Sequence, residues 1–231
     1  MIARSVDVAT VAPLTPAESA RRGSLRDAED QRDFTAAHAL VRACAARALA
    51  VIGSRRDAAS LVLVHRCPAC GSPEHGVPQI DGVPGLHVSL SRSAGRVAAV
   101  AGWEPVGIDV QARRTAGSTP GTTPALLALT LSPAEQRLVR SDDDQGLVFA
   151  RLWVRKEALL KVGVGTLDAL ADLDVDQGTP PGRHGPWAFT TWEDDTHVAA
   201  VAAHGEVRLE ATDGRPRTGT PDALTPPGVY H

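Results

Sequence analysis

Two long stretches dominate the hydrophobic pattern, and a glycine closes each of them. "RDFTAAHALVRACAARALAVIG" (Arg32–Gly53) is rich in Ala and Leu and reads as one helix that stops at Gly53. "FARLWVRKEALLKVG" (Phe149–Gly163) reads as a second helix that stops at Gly163. Around them lie short apolar runs bounded by turn residues, which the pattern predicts as strands. These are "SLVLVH" (Ser60–His65), "LHVSLS" (Leu86–Ser91), "RVAAVAG" (Arg96–Gly102), "VGIDV" (Val106–Val110) and "HVAAVAA" (His197–Ala203). "LHVSLS" and "RVAAVAG" together predict a hairpin. A short strand is expected at Val6–Val11, inside a polar and mixed N-terminal stretch. "LSPAEQRLV" opens a further helix with a capping box, Ser132 at the N-cap and Glu135 three residues on. "RCPACGSPEHGVPQIDGVPG" (Arg66–Gly85) and "TAGSTPGTTP" (Thr115–Pro124) read as loops. Residues 212–231 have low hydrophobicity and are expected to be a disordered tail.

The order of elements carries a repeat. Each long helix is followed by a loop and then by a strand, and the two strands "RVAAVAG" and "HVAAVAA" are nearly the same sequence. This predicts a mixed α/β (α+β) chain of two similarly built halves, residues 1–105 and 106–211. Composition narrows the picture. Aromatics make up 3% of the 231 residues, so the core is expected to be Ala, Val and Leu. The formal net charge of −3 argues against a general nucleic-acid or membrane-surface role. No run of 18 apolar residues and no apolar signal-peptide core is seen, and three cysteines make no disulfide framework, so a soluble cytoplasmic protein is expected.

Of the 24 basic residues, only Lys156 and Lys161 are lysines. On a helix Trp153, Lys156, Glu157, Leu160 and Lys161 fall at i, i+3, i+4, i+7 and i+8, one stripe. Such a stripe is either a solvated face, with a Glu157–Lys161 pair contributing about 0.2–0.5 kcal/mol, or a face that handles phosphate. The preference for lysine points to the second, because a compact ammonium with a tunable proton suits a phosphate at a reaction centre. Asp109 interrupts an apolar strand. Alternation sets it with Gln111 opposite Ile108 and Val110. It is either held by backbone amides or a magnesium ligand beside a helix that carries a Glu. In "HVSLSRS" Ser89, Ser91 and Ser93 share a face, which is either a polar hairpin surface or a row of donors to phosphate, with Arg92 adding charge.

"GIDV", followed some 40 residues later by "WVRKEALLK", resembles the 4′-phosphopantetheinyl transferases of the Sfp type. Their pattern G-[IV]-D and then W-x-x-K-E-[AS]-x-x-K is met by Gly107, Ile108 and Asp109, and by Trp153, Lys156, Glu157, Ala158 and Lys161. Weaker echoes in "CPACGSPEHGVP", "HVSLSRS" and "LSPAEQRLV" extend the likeness over about residues 30–170. The resemblance implies two similar subdomains related by a pseudo-twofold, with coenzyme A bound between them. It implies Mg2+ on the pyrophosphate, held by Asp109 and Glu157, with Gln111 where the family usually has a Glu. It implies transfer of the phosphopantetheine arm to a serine of an acyl or peptidyl carrier protein. Two halves in one chain need no partner to complete a site, so a monomer is expected. Glu157 would also take the serine proton, Lys161 would serve the departing 3′,5′-ADP, and Lys156 would grip a phosphate. Ser91, Arg92 and His38 would contact coenzyme A. Arg92 stands where the family has a strand His, Val77 where it has a basic loop residue, and His38 where it has a helix Arg. These departures leave a second expectation: a relative that binds a coenzyme A-like or carrier-tethered ligand without transfer, or catalyses another reaction such as a cyclisation.

Overall fold

Apolar runs with no polar alternation need cover on both faces, and the chain supplies it with a helix on one side and a second sheet on the other. The computed structural model describes residues 1–9, 13–67, 70–72, 76–113, 123–176, 182–205 and 207–211. One antiparallel sheet has the order β1-β5-β4-β3-β2, from β1 (Ile2–Arg4), β2 (Leu63–Arg66), β3 (Val77–Ile80), β4 (His87–Ser93) and β5 (Arg96–Gly102). The other has the order β6-β9-β8-β7, from β6 (Val106–Ala112), β7 (Arg183–His184), β8 (Trp187–Glu193) and β9 (His197–Ala203). Helices α1 (Pro16–Gly23) and α2 (Ala28–Val51) go with the first sheet. Helices α3 (Pro124–Thr130), α4 (Pro133–Ser141) and α5 (Gln145–Lys161), then a 3₁₀ segment at Leu167–Asp172, go with the second.

The two echoing sequences occupy equivalent places. β5 lies between β1 and β4, and β9 lies between β6 and β8. On β5, Val97 and Ala99 face the core under α2, while Ala98 and Val100 face the second sheet. On β9, Val198 and Ala200 pack with Ala150 and Val154 of α5, while Ala199, Val201 and Ala203 face the first sheet. Small side chains on both faces let helix and sheet approach closely, which is why the run is Ala and Val throughout. Helix α2 has the length and apolar composition of a membrane span. In this fold it is instead a core helix, with Leu40, Val41, Ala45 and Leu49 buried against the first sheet.

Several sequence expectations shift. The strand expected at Val6–Val11 is replaced by β1 at Ile2–Arg4 and a 3₁₀ turn at Ser5–Asp7, and residues 10–12 lie outside the described ones. Helix α2 starts at Ala28, a turn earlier than Arg32. Helix α1 was not anticipated, although "TPAE" carries the same signal as "SPAE". Thr15 Oγ1 accepts from Glu18 N, Glu18 accepts from Thr15 N, and Pro16 fills N1. Part of the loop expected at Arg66–Gly85 is β3. The expected tail lies outside the described residues.

The sheets meet where β6 lies over β4 and β5. β6 pairs with β9 along one edge, and its free edge needs partners. Ser89 and Ser93 supply them: Ile108 N donates to Ser89 Oγ (3.2 Å) and Ala112 N to Ser93 Oγ (3.0 Å). The serine face therefore stitches β4 to β6 rather than standing as a row of phosphate donors.

Candidate functional site

The site begins with a close approach. Gly107 has no side chain, and a Cβ there would sit 2.2 Å from the Ala158 carbonyl oxygen. Its absence lets α5 rest directly on β6, which brings Glu157 and Lys161 beside Asp109. Ile108 and Val110 face the inter-sheet core, so Asp109 and Gln111 face the other way. Asp109 is 6% exposed. Its Oδ1 accepts from Lys161 Nζ (2.8 Å) and from Ser91 Oγ (2.7 Å). Lys161 Nζ also donates to Ile108 O (2.7 Å) and Leu90 O (3.4 Å), so one ammonium ties α5 to strands of both sheets. The second oxygen of Asp109 bears no hydrogen bond from a described residue.

Glu157 is different. It is half-buried and makes no hydrogen bond or ion pair with any described residue. Burial raises its pKa, the nearby Asp109 charge raises it further, and Lys161 partly opposes them. A carboxylate that burial and a neighbouring carboxylate both push towards the protonated form suits a cation or a proton beside it. Among the described residues no group of three or more His, Cys, Asp or Glu side chains converges on one point. The oxygen donors here are two carboxylates and the half-buried amide of Gln111.

A cleft of about 620 Å³ opens beside this centre, between the first sheet with its helices and the end of α5. Leu160 and Lys161 form one wall; Ser91, Arg92, His38 and Val77 are on the other. Arg92 Nη1 donates to Asp30 Oδ1 (3.0 Å). His38 is buried with Nδ1 2.7 Å from Glu18 Oε1, and Val77 is exposed at the rim. Arg21 also lines the cleft, a cation that sequence reasoning left unassigned. The unrecognised capping box at Thr15 was the signal that would have placed it on a helix.

Lys156 does not join them. Its side chain is 0% exposed, with Nζ 2.6 Å from Glu135 Oε2 and 2.8 Å from Leu170 O. It cannot grip a phosphate in the cleft, which corrects the sequence expectation. The cause lies in α4. The capping-box Glu135 is itself fully buried, accepting from Ser132 N (2.9 Å) and Val175 N (2.9 Å), and its charge needs a cation. Residues 156 and 157 point about 100° apart on a helix, so the stripe divides: Lys156 turns to α4, Glu157 and Lys161 to β6. The first half repeats the arrangement. The capping-box Glu18 is buried against Arg42 Nη2 (2.6 and 2.7 Å) and His38 on α2.

Fold and site together describe an α+β protein with a cation-bearing cleft beside a carboxylate pair held between β6 and α5. Residues 105–204 match the family model of the 4′-phosphopantetheinyl transferase superfamily (ACPS), a stretch that runs from just before β6 to just past β9 and holds Asp109, Glu157 and Lys161. No curated protein matches the chain. This part of the chain is similar to that superfamily of transferases.

Proposed function

We propose that the protein is an Sfp-type transferase that moves the 4′-phosphopantetheine arm of coenzyme A onto a serine of an acyl or peptidyl carrier protein. The observation that carries this reading is Glu157, a half-buried carboxylate with no described partner, set near Asp109 and next to a cleft lined by Arg21, Arg92 and Lys161. In the reaction the serine oxygen forms a bond to the β-phosphorus of coenzyme A. The bond from that phosphorus to the bridging oxygen breaks, and 3′,5′-ADP leaves. Glu157 would take the serine proton. Lys161 holds positive charge where the leaving phosphate gathers negative charge. Arg92 and Arg21 offer charge to the rest of the ligand.

The donor set fits Mg2+, which takes a few protein oxygens and fills its remaining positions from phosphate and water. Asp109 through its open oxygen, Glu157 and Gln111 would hold it. When bound, it would neutralise pyrophosphate charge. The same reading puts the protein in the cytoplasm as a monomer, since both walls of the cleft come from one chain.

The test is intact-mass analysis of an apo carrier protein incubated with this protein, coenzyme A and Mg2+. A gain of one phosphopantetheine arm, lost when Mg2+ is removed, is the expected result. No gain on acyl and peptidyl carriers alike, with the protein folded, would overturn it. Val77 at the cleft rim and His38 tied to Glu18 favour the second reading, a coenzyme A-like or carrier-tethered ligand bound without transfer, or a different reaction such as a cyclisation. Coenzyme A binding without any mass gain would select that reading.

A further inference from the structure

A second cavity, of about 560 Å³, shares no lining residue with the cleft. It lies where β1 stops and both of its neighbours run on. On one edge β1 pairs with β5, with Ile2 opposite Ala98. On the other edge Ile2 is bridged in parallel to Ala211, and Ile2 N donates to Glu210 O (2.9 Å). Past Met1, residues 100–102 of β5 and residues 207–208 flank the cavity. We propose that this slot takes the carboxyl end of an extended peptide, which continues the line of β1 with its carboxylate against the Met1 ammonium and an apolar last side chain between the two sheets.

The strand register says which main-chain groups face the slot. Met1 and Ala99 exchange both bonds, Met1 N to Ala99 O (2.7 Å) and Ala99 N to Met1 O (2.9 Å). Two residues on, Ala101 turns its N–H and C=O to the same side, past the end of β1. On the facing edge Glu210 gives its carbonyl to Ile2, so its N–H and the Arg208 carbonyl point into the slot as well. Neither of these two meets a described partner. Alternation marks residues 207–211 as extended. Leu209 is buried between the sheets with Val207 and Ala211 packed beside it, while Arg208 Nε pairs with Glu210 Oε1 on the other side (3.4 Å). An incoming strand would bond Arg208 O and Glu210 N with its last residue, and both groups of Ala101 with the residue before.

Charge sets the direction. A segment running parallel to β1 brings its carboxylate to the Met1 ammonium, whereas the reverse direction sets ammonium against ammonium. Alternation then assigns the side chains. Ile2 packs in the core between the sheets and Met1 against the core under α2. The last residue of the peptide therefore faces the inter-sheet side, where Val100, Val106, Ala203 and Val207 line the cavity. The residue before it faces Ala48 and Val51 of α2. The ligand is a chain with two apolar residues at its carboxyl end, held by backbone bonds and by that carboxylate.

Fluorescence anisotropy on the full chain provides the test. The probe is the peptide Gly-Ser-Gly-Val-Ala-Val, labelled at its amino end. Saturable binding is expected, at least about tenfold weaker for the carboxamide of the same sequence, and lost when the last Val of the peptide is replaced by Asp. Two variants locate the site. A chain carrying Met-Ala-Val ahead of Met1 fills the slot with its own backbone, so it should melt at a higher temperature and no longer bind the probe. Ala101→Pro removes the N–H that faces the slot without removing a bond to β4, and should weaken binding severalfold, with circular dichroism reporting that the variant is folded. Equal affinity for acid and carboxamide, or undiminished binding by the extended chain, would overturn the slot. So would the absence of binding at millimolar peptide. None of these measurements involves transfer to a carrier protein, so either reading can fail alone.

Discussion

Lys156 and Lys161 lie five residues apart on α5 and have opposite roles. Lys156 neutralises a buried carboxylate, and its replacement should act on stability. Lys156→Met strands Glu135 uncompensated in the core and is expected to cost about 3–5 kcal/mol, read as a lower urea midpoint. Adding Glu135→Gln should recover much of that loss, because the stranded charge is removed with its partner. Lys161 sits at the centre proposed for transfer, and there its replacement should act on rate. In Lys161→Arg a planar guanidinium must enter a place built for an ammonium that meets Leu90 O, Ile108 O and Asp109 Oδ1. Transfer should fall at least about tenfold with the melting temperature little changed. Glu157→Gln, which removes the proposed proton acceptor, should lose about 10²–10⁴-fold, measured as carrier modification per unit time. The proximity of Asp109, Glu157 and Lys161 was legible in the sequence because a charge in an apolar strand and two lysines around a glutamate in an arginine-rich chain both stand out. Lys156 misled because a helical stripe gives neighbours along one helix and is silent about the next. Its partner Glu135 had been recognised as a capping residue, and a carboxylate that closes a capping box inside a core still needs a counter-charge.

At the scale of elements, the approach of α5 to β6 decides the site. Gly107→Ala puts a methyl group against the Ala158 carbonyl, backbone against backbone, with no flexible side chain to yield. About 1–3 kcal/mol of destabilisation is expected, with a loss of transfer larger than the loss of stability explains, because Glu157 and Lys161 move off Asp109 together. A Gly107→Ala protein with full turnover would mean that the helix position does not set the site. The packing of α1 on α2 makes a separate claim about acid. Burial raises the pKa of Glu18, but hydrogen bonds from His38, the Thr15 backbone and Arg42 outweigh it and bring the value from 4.5 down to about 2. A depressed carboxylate stabilises the fold above its unfolded pKa and loses that contribution as pH falls. The stability contributed here, roughly 3 kcal/mol at 1.36 kcal/mol per unit, should be complete above pH 4.5 and fade towards pH 2. In Glu18→Gln the part of the acid slope due to this group should vanish, with lower stability already present at neutral pH. The strands and long helices could be read from the sequence because their periodicity is local. α1 was passed over because its apolar pattern is weak, and its real warrant, a buried Glu18, depends on residues 20 and 24 positions away.

For the molecule as a whole, the repeat of "RVAAVAG" in "HVAAVAA" suggested two halves, and each of those strands has one face in a core the halves share. Ile2, Ala98 and Val100 from the first sheet meet Ile108, Trp192, Ala199 and Val201 from the second. A short C-terminal strap closes the same core. Leu209 is buried in it, Ile2 N donates to Glu210 O (2.9 Å), and the Glu210 carboxylate receives Arg47 at 2.5 and 2.7 Å. The strap was invisible in the sequence because it is neither strand nor helix and its partners lie at the other end of the chain. Halves that share a core should not unfold one at a time. Urea unfolding followed by tryptophan fluorescence, with Trp192 1% exposed in the shared core, should therefore coincide with unfolding followed by far-UV circular dichroism. Leu209→Ala, a cavity in that core, should shift both curves together by about 2–5 kcal/mol. A circular dichroism curve that splits into two steps while the fluorescence change follows the first would mean that the seam between β5 and β6 separates two folding units. In that case the cleft is a hinge between them, and coenzyme A should stabilise the first step more than the second.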